Sequence, residues 1–431
     1  MDFIMKLQDP QIVANFQNYF GVRVKYRKKE LPGDSNMVEC KTHYDQEKFE
    51  PLKHRSQEST EKNMGIWKAA FAENTGGSSD IGSDEDFGTE CEDQTQEYEI
   101  LNRFWYHLFF FATGLGGEYF YSVFFCFWAW NVDGAVLRRV IVIWMITMYI
   151  GQAMKDILKV PRPSAPPVLR LDTKWALEYG LPSTHAMVGV TMPFSIFAFS
   201  VTRYQLDWSW CLAFAITWCT IVCLSRLYLG MHSVMDIVCG LVLAVILMVI
   251  ILPWMDILDR LALSHPASPL LCTILTVAMV VWYPTTDRWT PARGDTTVIV
   301  GVGCGTLLGS WLNYQLGIIR EPTLPPPYTV IWPTINMVGL SLLRTVVGLV
   351  LIVAVRATFK SLSYATICAL LQVRADDVRK KKDHISSRKR LIVELFYKFI
   401  TYIAIGFTII FTAPVAFRVM GVERPTFYTE I

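Results

Sequence analysis

The fold class this sequence predicts is all-α, a polytopic membrane helical bundle, and three observations predict it. Of its 431 residues 52% are hydrophobic and 13% aromatic, and the mean hydropathy is positive at +0.32, high for a soluble chain of this size. The apolar residues are also localised. Residues 1–104 are polar and charged, whereas from Trp105 onward apolar runs near or above bilayer-crossing length recur with short polar breaks. The net charge is only +2 and the pI about 8.0, so no electrostatic case for a nucleic-acid partner arises.

Three regions follow. Residues 1–104 combine basic Arg23 to Lys29 with an acidic, Ser/Gly-rich tract from Ser78 to Glu99, and this composition predicts a largely disordered region. Within it, Met5 to Phe20 can form a short helix. Residues 105–260 and 261–431 are expected to form a membrane core and further membrane helices that complete the bundle. The spans read as roughly 105–130, 138–159, 186–201, 208–229, 233–254, 268–283, 295–316, 338–360 and 392–418, nine in all. Gly114 to Gly117 interrupt the first, which predicts an interfacial helix followed by a shorter span. No short apolar leader with a small-residue cleavage site opens the chain, so insertion is expected to rely on the internal segments.

Orientation is read from basic loops. Arg138, Arg139, Arg203 and Arg260 follow the first, third and fifth spans and argue for a cytosolic side there, with the loops after spans two and four on the lumenal side. Arg374 to Arg390 is the most basic stretch, yet nine spans would put it in the lumen. Either the span count is off by one in the carboxy-terminal half, around Ser361 to Val373, or that basic stretch serves another purpose. Most of the ten cysteines lie inside apolar runs and none forms a CxxC pair, which predicts buried free thiols.

Chemistry concentrates at three places where spans end. Lys155 with Arg162 and Pro163, spaced K-x6-R-P, leaves the second span. Either cation alone is explained by snorkelling to the interface. Pro182, Ser183, Thr184 and His185 come immediately before the third span. A serine there is commonly an N-cap, but a helix amino terminus also offers free N–H groups and a positive dipole end to a phosphate. Ser225, Arg226, His232 and Asp236, as S-R-x5-H-x3-D, bridge the fourth and fifth spans. His232 and Asp236 are four apart and share a helix face, so the carboxylate can fix the imidazole tautomer and leave the other nitrogen as a nucleophile. Together the three sets supply cations, backbone donors, an in-line nucleophile and an acid, which is what phosphoryl transfer requires. They contain no cluster of carboxylates able to cage metal ions, so no metal and no cofactor is expected.

In this order and at these spacings, the three sets resemble the signature motifs of the type 2 phosphatidic acid phosphatase superfamily. Thr184 stands where the commonest form of the second motif has glycine; its backbone N–H survives the change, though the loop should be stiffer. Longer strings, LQDPQ at Leu7 to Gln11, KVPRPSAPPV, LPSTHAM and SRLYLGMHSVMD, are similar to the sphingosine-1-phosphate phosphatases of the endoplasmic reticulum, and the PSTH variant is a feature of that subfamily. The resemblance implies a six-helix catalytic core with extra carboxy-terminal spans, in the endoplasmic reticulum membrane with its active site facing the lumen. It implies His232 as nucleophile, His185 as the acid for the leaving alkoxide and Asp236 as the orienting carboxylate. Lys155, Arg162, Ser183, Thr184 and Arg226 would bind phosphate, Thr184 and Gly230 through the backbone. The implied partner is the lipid phosphate itself, sphingosine 1-phosphate or dihydrosphingosine 1-phosphate. Two alternatives stay open: a broad lipid phosphatase acting on phosphatidate or lysophosphatidate, and a transporter, channel or scaffold whose charged spans line a polar path.

Overall fold

A computed structural model of the protein describes residues 6–24, 98–172, 177–286, 290–373 and 387–431. Helix α1 (Pro10–Tyr19) starts at Asp9, whose side chain accepts the Gln11 N–H, and is followed by the strand β1 (Val22–Val24) paired antiparallel with β2 (Tyr98–Ile100). The short amino-terminal helix is therefore present, shifted to Pro10. Of the acidic tract expected to be disordered, Ser78 to Glu99, residues 78–97 lie outside the described residues, while Tyr98 and Glu99 are ordered by pairing in β2. α2 (Arg103–Gly114) and α3 (Glu118–Asn131) meet at a 61° bend, at the glycine-rich break where the sequence interrupts the apolar run.

The helices that follow begin where short polar side chains cap free N–H groups. α4 (Gly134–Leu158) is capped by Asp133, which accepts from the Ala135 and Val136 N–H at 2.7 and 3.0 Å. α5 (Thr184–Arg203) is capped by Ser183 and α6 (Trp208–Tyr228) by Asp207. α7 (Val234–Ile251) opens with a reciprocal capping box between Ser233 and Asp236. A 3-10 turn joins it to α8 (Met255–Ser264), so the apolar helix runs on to Ser264 and Arg260 lies within it rather than in a loop after it.

α9 (Ser268–Val281), α10 (Ala292–Gln315), α11 (Ile335–Leu370) and α12 (Ser387–Phe407) complete the spans, with a π turn leading from α12 into α13 (Ala413–Val419). Among the described residues, seven helices are long and apolar enough to cross a bilayer, or eight with the α2–α3 pair as one broken span. The sixth expected span, 268–283, is the exception. α9 has 14 residues, about 21 Å at 1.5 Å per residue against a hydrocarbon core of about 30 Å. A hydropathy window sees composition and not where the helix breaks, hence the overcount. α11, by contrast, has 36 residues and is unbroken through Ser361; no extra break there resolves the orientation conflict.

One apolar cluster joins α3, α4 and α5 to α10 and α12, including Trp130, Ile141, Trp144, Met192, Val300, Phe399 and Ile410. α10 and α12 run parallel at close quarters: Cβ atoms at Gly301 and Gly305 would lie 3.0 Å from Phe399 O and 2.1 Å from Ile403 O, the small-residue packing that lets membrane helices approach. Thr290, just before α10, reaches Asp156 at the end of α4, and Gly294 faces Glu394 and Lys398. The start of α12 thus lies at the same end of the bundle as Lys155. The basic stretch of 374–386 lies outside the described residues. Arg138 and Arg203, counted as loop charges by the orientation argument, are buried against Asp259 and Asp133. All eight described cysteines are free.

Candidate active site

The three motif regions converge at one end of the bundle. The last turn of α4 brings Lys155, the segment after it brings Arg162, the first turn of α5 brings Thr184 and His185 behind Ser183, and the α6–α7 junction brings Arg226, His232 and Asp236. Two backbone features fix this junction. Ser183 N–H donates to Asp236 O at 3.0 Å, tying the start of α5 to the start of α7. Gly230 has φ +67°, and a Cβ there would fall 2.3 Å from Leu169 O, so a side chain meets both a left-handed backbone and a carbonyl.

Charge is buried here to an unusual degree. Lys155, Arg162, Arg226, His232 and Asp236 are 2, 8, 1, 1 and 1% exposed, and Ser183 and Thr184 are buried, with His185 half-buried. Lys155 Nζ donates to Glu178 Oε2 at 2.7 Å and to Thr184 Oγ1 at 3.0 Å. Arg162 donates from Nε to Glu178 O at 3.0 Å and from Nη1 to Met231 O at 2.7 Å. Arg226 donates from Nη1 to Thr113 Oγ1 at 2.6 Å, while its Nε and Nη2 find no hydrogen-bond partner among the described residues. A buried guanidinium with two open donors is costly unless an acceptor arrives.

His232 Nε2 lies 3.4 Å from Arg162 Nη1 and faces the cations. Burial, followed by Arg162, Arg226, Lys155 and His185, holds its pKa well below the ordinary imidazole value, so the ring is neutral and one nitrogen keeps a lone pair. Nδ1 sits 3.6 Å from Asp236 Oδ2 without a hydrogen bond. That oxygen accepts the Ser233 N–H at 2.8 Å instead, so Asp236 serves the helix cap as well as facing the imidazole. Catalytic hydrogen bonds commonly tighten only when substrate is bound. Ser225, the first residue of the third motif, donates to Val222 O at 2.6 Å within its own helix and does not join the cation cluster.

Four neighbours of the site carry no motif signal. Glu178 is 5% exposed and sits on Lys155. Thr113 and Gly116 lie at the α2–α3 bend: Thr113 holds Arg226, and a Cβ on Gly116 would come 2.8 Å from His185 Cδ2. Gln17 on α1 is 1% exposed; its amide donates to Leu169 O and Tyr228 O at 2.6 and 2.9 Å and accepts from the Leu169 N–H at 3.0 Å. The amino-terminal helix thereby clamps the segment after Arg162 to the end of α6, with Phe20 and Tyr228 both packed on Phe109. No local sequence pattern marks Gln17, Thr113 or Glu178.

Comparison with known proteins identifies the family. Residues 136–260 match the family described as the PAP2 superfamily. Sphingosine-1-phosphate phosphatase 1 of Mus musculus is 34% identical over 430 residues, covering 97% of each chain. Sphingosine-1-phosphate phosphatase 2 of Homo sapiens is 37% identical over 77% of this chain and 82% of its own. A dihydrosphingosine 1-phosphate phosphatase of Schizosaccharomyces pombe is 25% identical over 50% of this chain and 55% of its own. No solved structure matches. With its cation cluster and neutral histidine at one end of a helical bundle, and an alignment to such a relative over nearly the full length of both chains, the chain belongs to the sphingosine-1-phosphate phosphatases of the PAP2 superfamily.

Proposed function

We propose that this protein hydrolyses sphingosine 1-phosphate and related sphingoid base phosphates, such as dihydrosphingosine 1-phosphate, to the sphingoid base and inorganic phosphate. The observation that carries the reading is the pair of open donors on buried Arg226 beside the neutral His232. A tetrahedral oxyanion would satisfy those donors and meet the cations. Lys155, Arg162 and Arg226 bind the phosphate oxygens, with the Ser183 hydroxyl and the backbone N–H of Thr184 at the start of α5.

His232 Nε2 attacks phosphorus with its lone pair, and the bond from phosphorus to the lipid oxygen breaks as His185 gives that oxygen a proton. His185 then takes a proton from water; the resulting hydroxide oxygen bonds to phosphorus, and the P–N electron pair returns to His232. Asp236 holds the Nδ1 proton and steadies the imidazole as charge develops on it. All the positive charge this scheme needs comes from side chains, so it runs without a metal. We place the enzyme in the endoplasmic reticulum membrane with the site facing the lumen, a reading supported by Arg139 and Arg260 at the other end of the bundle and by the family resemblance.

The test is phosphate release by the purified protein in excess EDTA from sphingosine 1-phosphate, lysophosphatidate, phosphatidate and glucose 6-phosphate. The sphingoid substrate should be turned over fastest, at a rate the chelator leaves intact. Equal rates on the glycerolipids would assign a broad lipid phosphatase, and activity restored only by added magnesium would overturn the mechanism.

A further inference from the structure

Glu178 is left without a task by the phosphoryl chemistry, and its position argues against accident. It lies on the segment leading into the second motif and is 5% exposed. Its Oε2 accepts from Lys155 Nζ at 2.7 Å and lies 3.9 Å from Arg162 Nη2, and its backbone carbonyl accepts from Arg162 Nε at 3.0 Å. Its Oε1 is buried with no hydrogen-bond partner among the described residues. An ionised oxygen left open in a buried site is costly. A carboxylate against phosphate-binding cations also weakens their hold on any ligand that is phosphate and nothing more.

A ligand carrying a cation next to its phosphate reverses both penalties. In a sphingoid base phosphate the phosphoester is on the first carbon and the ammonium on the second, so the two charges are neighbours. At the same carbon a phosphatidate or lysophosphatidate carries an ester or a hydroxyl. We propose that Glu178 is a specificity-determining residue, receiving the substrate ammonium on Oε1 while Oε2 stays on Lys155 and the phosphate occupies the cation cluster. The proposal rests on the sphingoid reading of the same site and supplies its physical basis: selection for the amine rather than for the apolar chain. One carboxylate then bridges Lys155 and the ammonium, and charge-assisted hydrogen bonds form on both of its oxygens.

The experiment compares kcat/KM for sphingosine 1-phosphate with that for an analogue of the same chain bearing a hydroxyl in place of the amine. Wild type and Glu178→Gln are assayed in the same mixed micelles. The wild-type preference for the amine should be about 10- to 100-fold, the range of one hydrogen bond to a charged group, and Glu178→Gln should bring the ratio close to one. If Glu178 is only a counter-ion for Lys155, both substrates slow together and the ratio stays at its wild-type value, which overturns the proposal. Equal wild-type rates on the two compounds overturn it even if the variant does not fold. A wild-type protein that hydrolyses glycerolipid phosphates and leaves sphingosine 1-phosphate untouched overturns the sphingoid reading itself, and the proposal with it.

Discussion

At the end of the bundle away from the motifs, Arg203 Nε lies 2.6 Å from Asp133 Oδ2, and Arg138 is gripped by both oxygens of Asp259 at 2.5 and 2.8 Å. At the motif end, Arg226 has two open guanidinium nitrogens, His232 an open Nδ1 and Glu178 an open Oε1. Both ends bury arginines in an apolar bundle, yet the first gives each of these two its carboxylate and the second leaves donors and acceptors waiting. Buried pairs that close on themselves hold helices together, whereas buried charge that does not close requires a ligand. Burial and residue type are alike at the two ends, so the contrast in pairing carries the functional assignment.

Substitutions at the two ends should separate activity from stability. The largest loss of turnover is expected where a guanidinium of the cation cluster is replaced by an ammonium. Arg226→Lys and Arg162→Lys keep the charge but lose the planar fork, and each should lower kcat by on the order of 10²-fold or more, by analogy with removing one transition-state donor. Near-normal rates in steady-state assays would mean that both side chains merely reach for the interface. At the other end, Asp133→Ala strips Arg203 and Tyr204 of their shared acceptor and uncaps α4. It should cost about 3–5 kcal/mol of stability, the usual penalty for orphaning one member of a buried pair, while leaving kcat of the folded fraction within about twofold. Thermal unfolding in detergent beside turnover reads both. A variant that is stable but inactive would erase the distinction between the ends. The smallest effect is assigned to Thr113→Val, which removes one hydrogen bond from Arg226 and should lower kcat/KM about tenfold. A change below twofold would show that the α2–α3 bend does not position the guanidinium.

The same contrast separates what could be read in the sequence from what could not. Lys155, Arg162, Ser183, Thr184, His185, Arg226, His232 and Asp236 were legible because their chemistry is written in residue type at fixed spacing beside span ends. Their convergence rests on helices whose caps, Asp133, Ser183 and Ser233, are equally local. Thr113 meets Arg226 across 113 residues of chain and Gln17 meets Leu169 across 152. Such contacts depend on how helices pack, and no local pattern marks them. Glu178 is closer, 23 residues from Lys155, but a lone glutamate in a polar connector reads as a solvated charge. The helical class and most span positions were legible from apolar run length. The excess span at α9 and the continuation of α7 into α8 were not, because composition alone does not mark where a helix ends. The resemblance implies a backbone role for Thr184, whereas the structure shows its hydroxyl accepting from Lys155, a use that glycine at that position would lack.

The central claim is that the unpaired charge surrounds a histidine nucleophile, and rapid-quench trapping of radiolabelled phosphate on the enzyme tests it most directly. Wild type should accumulate an acid-labile, alkali-stable phosphoenzyme within one turnover, since a phosphoramidate has that stability. His232→Ala should form none with any substrate, because the atom that accepts the phosphoryl group is gone. His185→Ala should fail with the lipid alkoxide yet still label from an aryl phosphate, whose leaving group needs no proton. The same label trapped on His232→Ala would contradict the account, since the nucleophile would then lie elsewhere and both histidine assignments would fall.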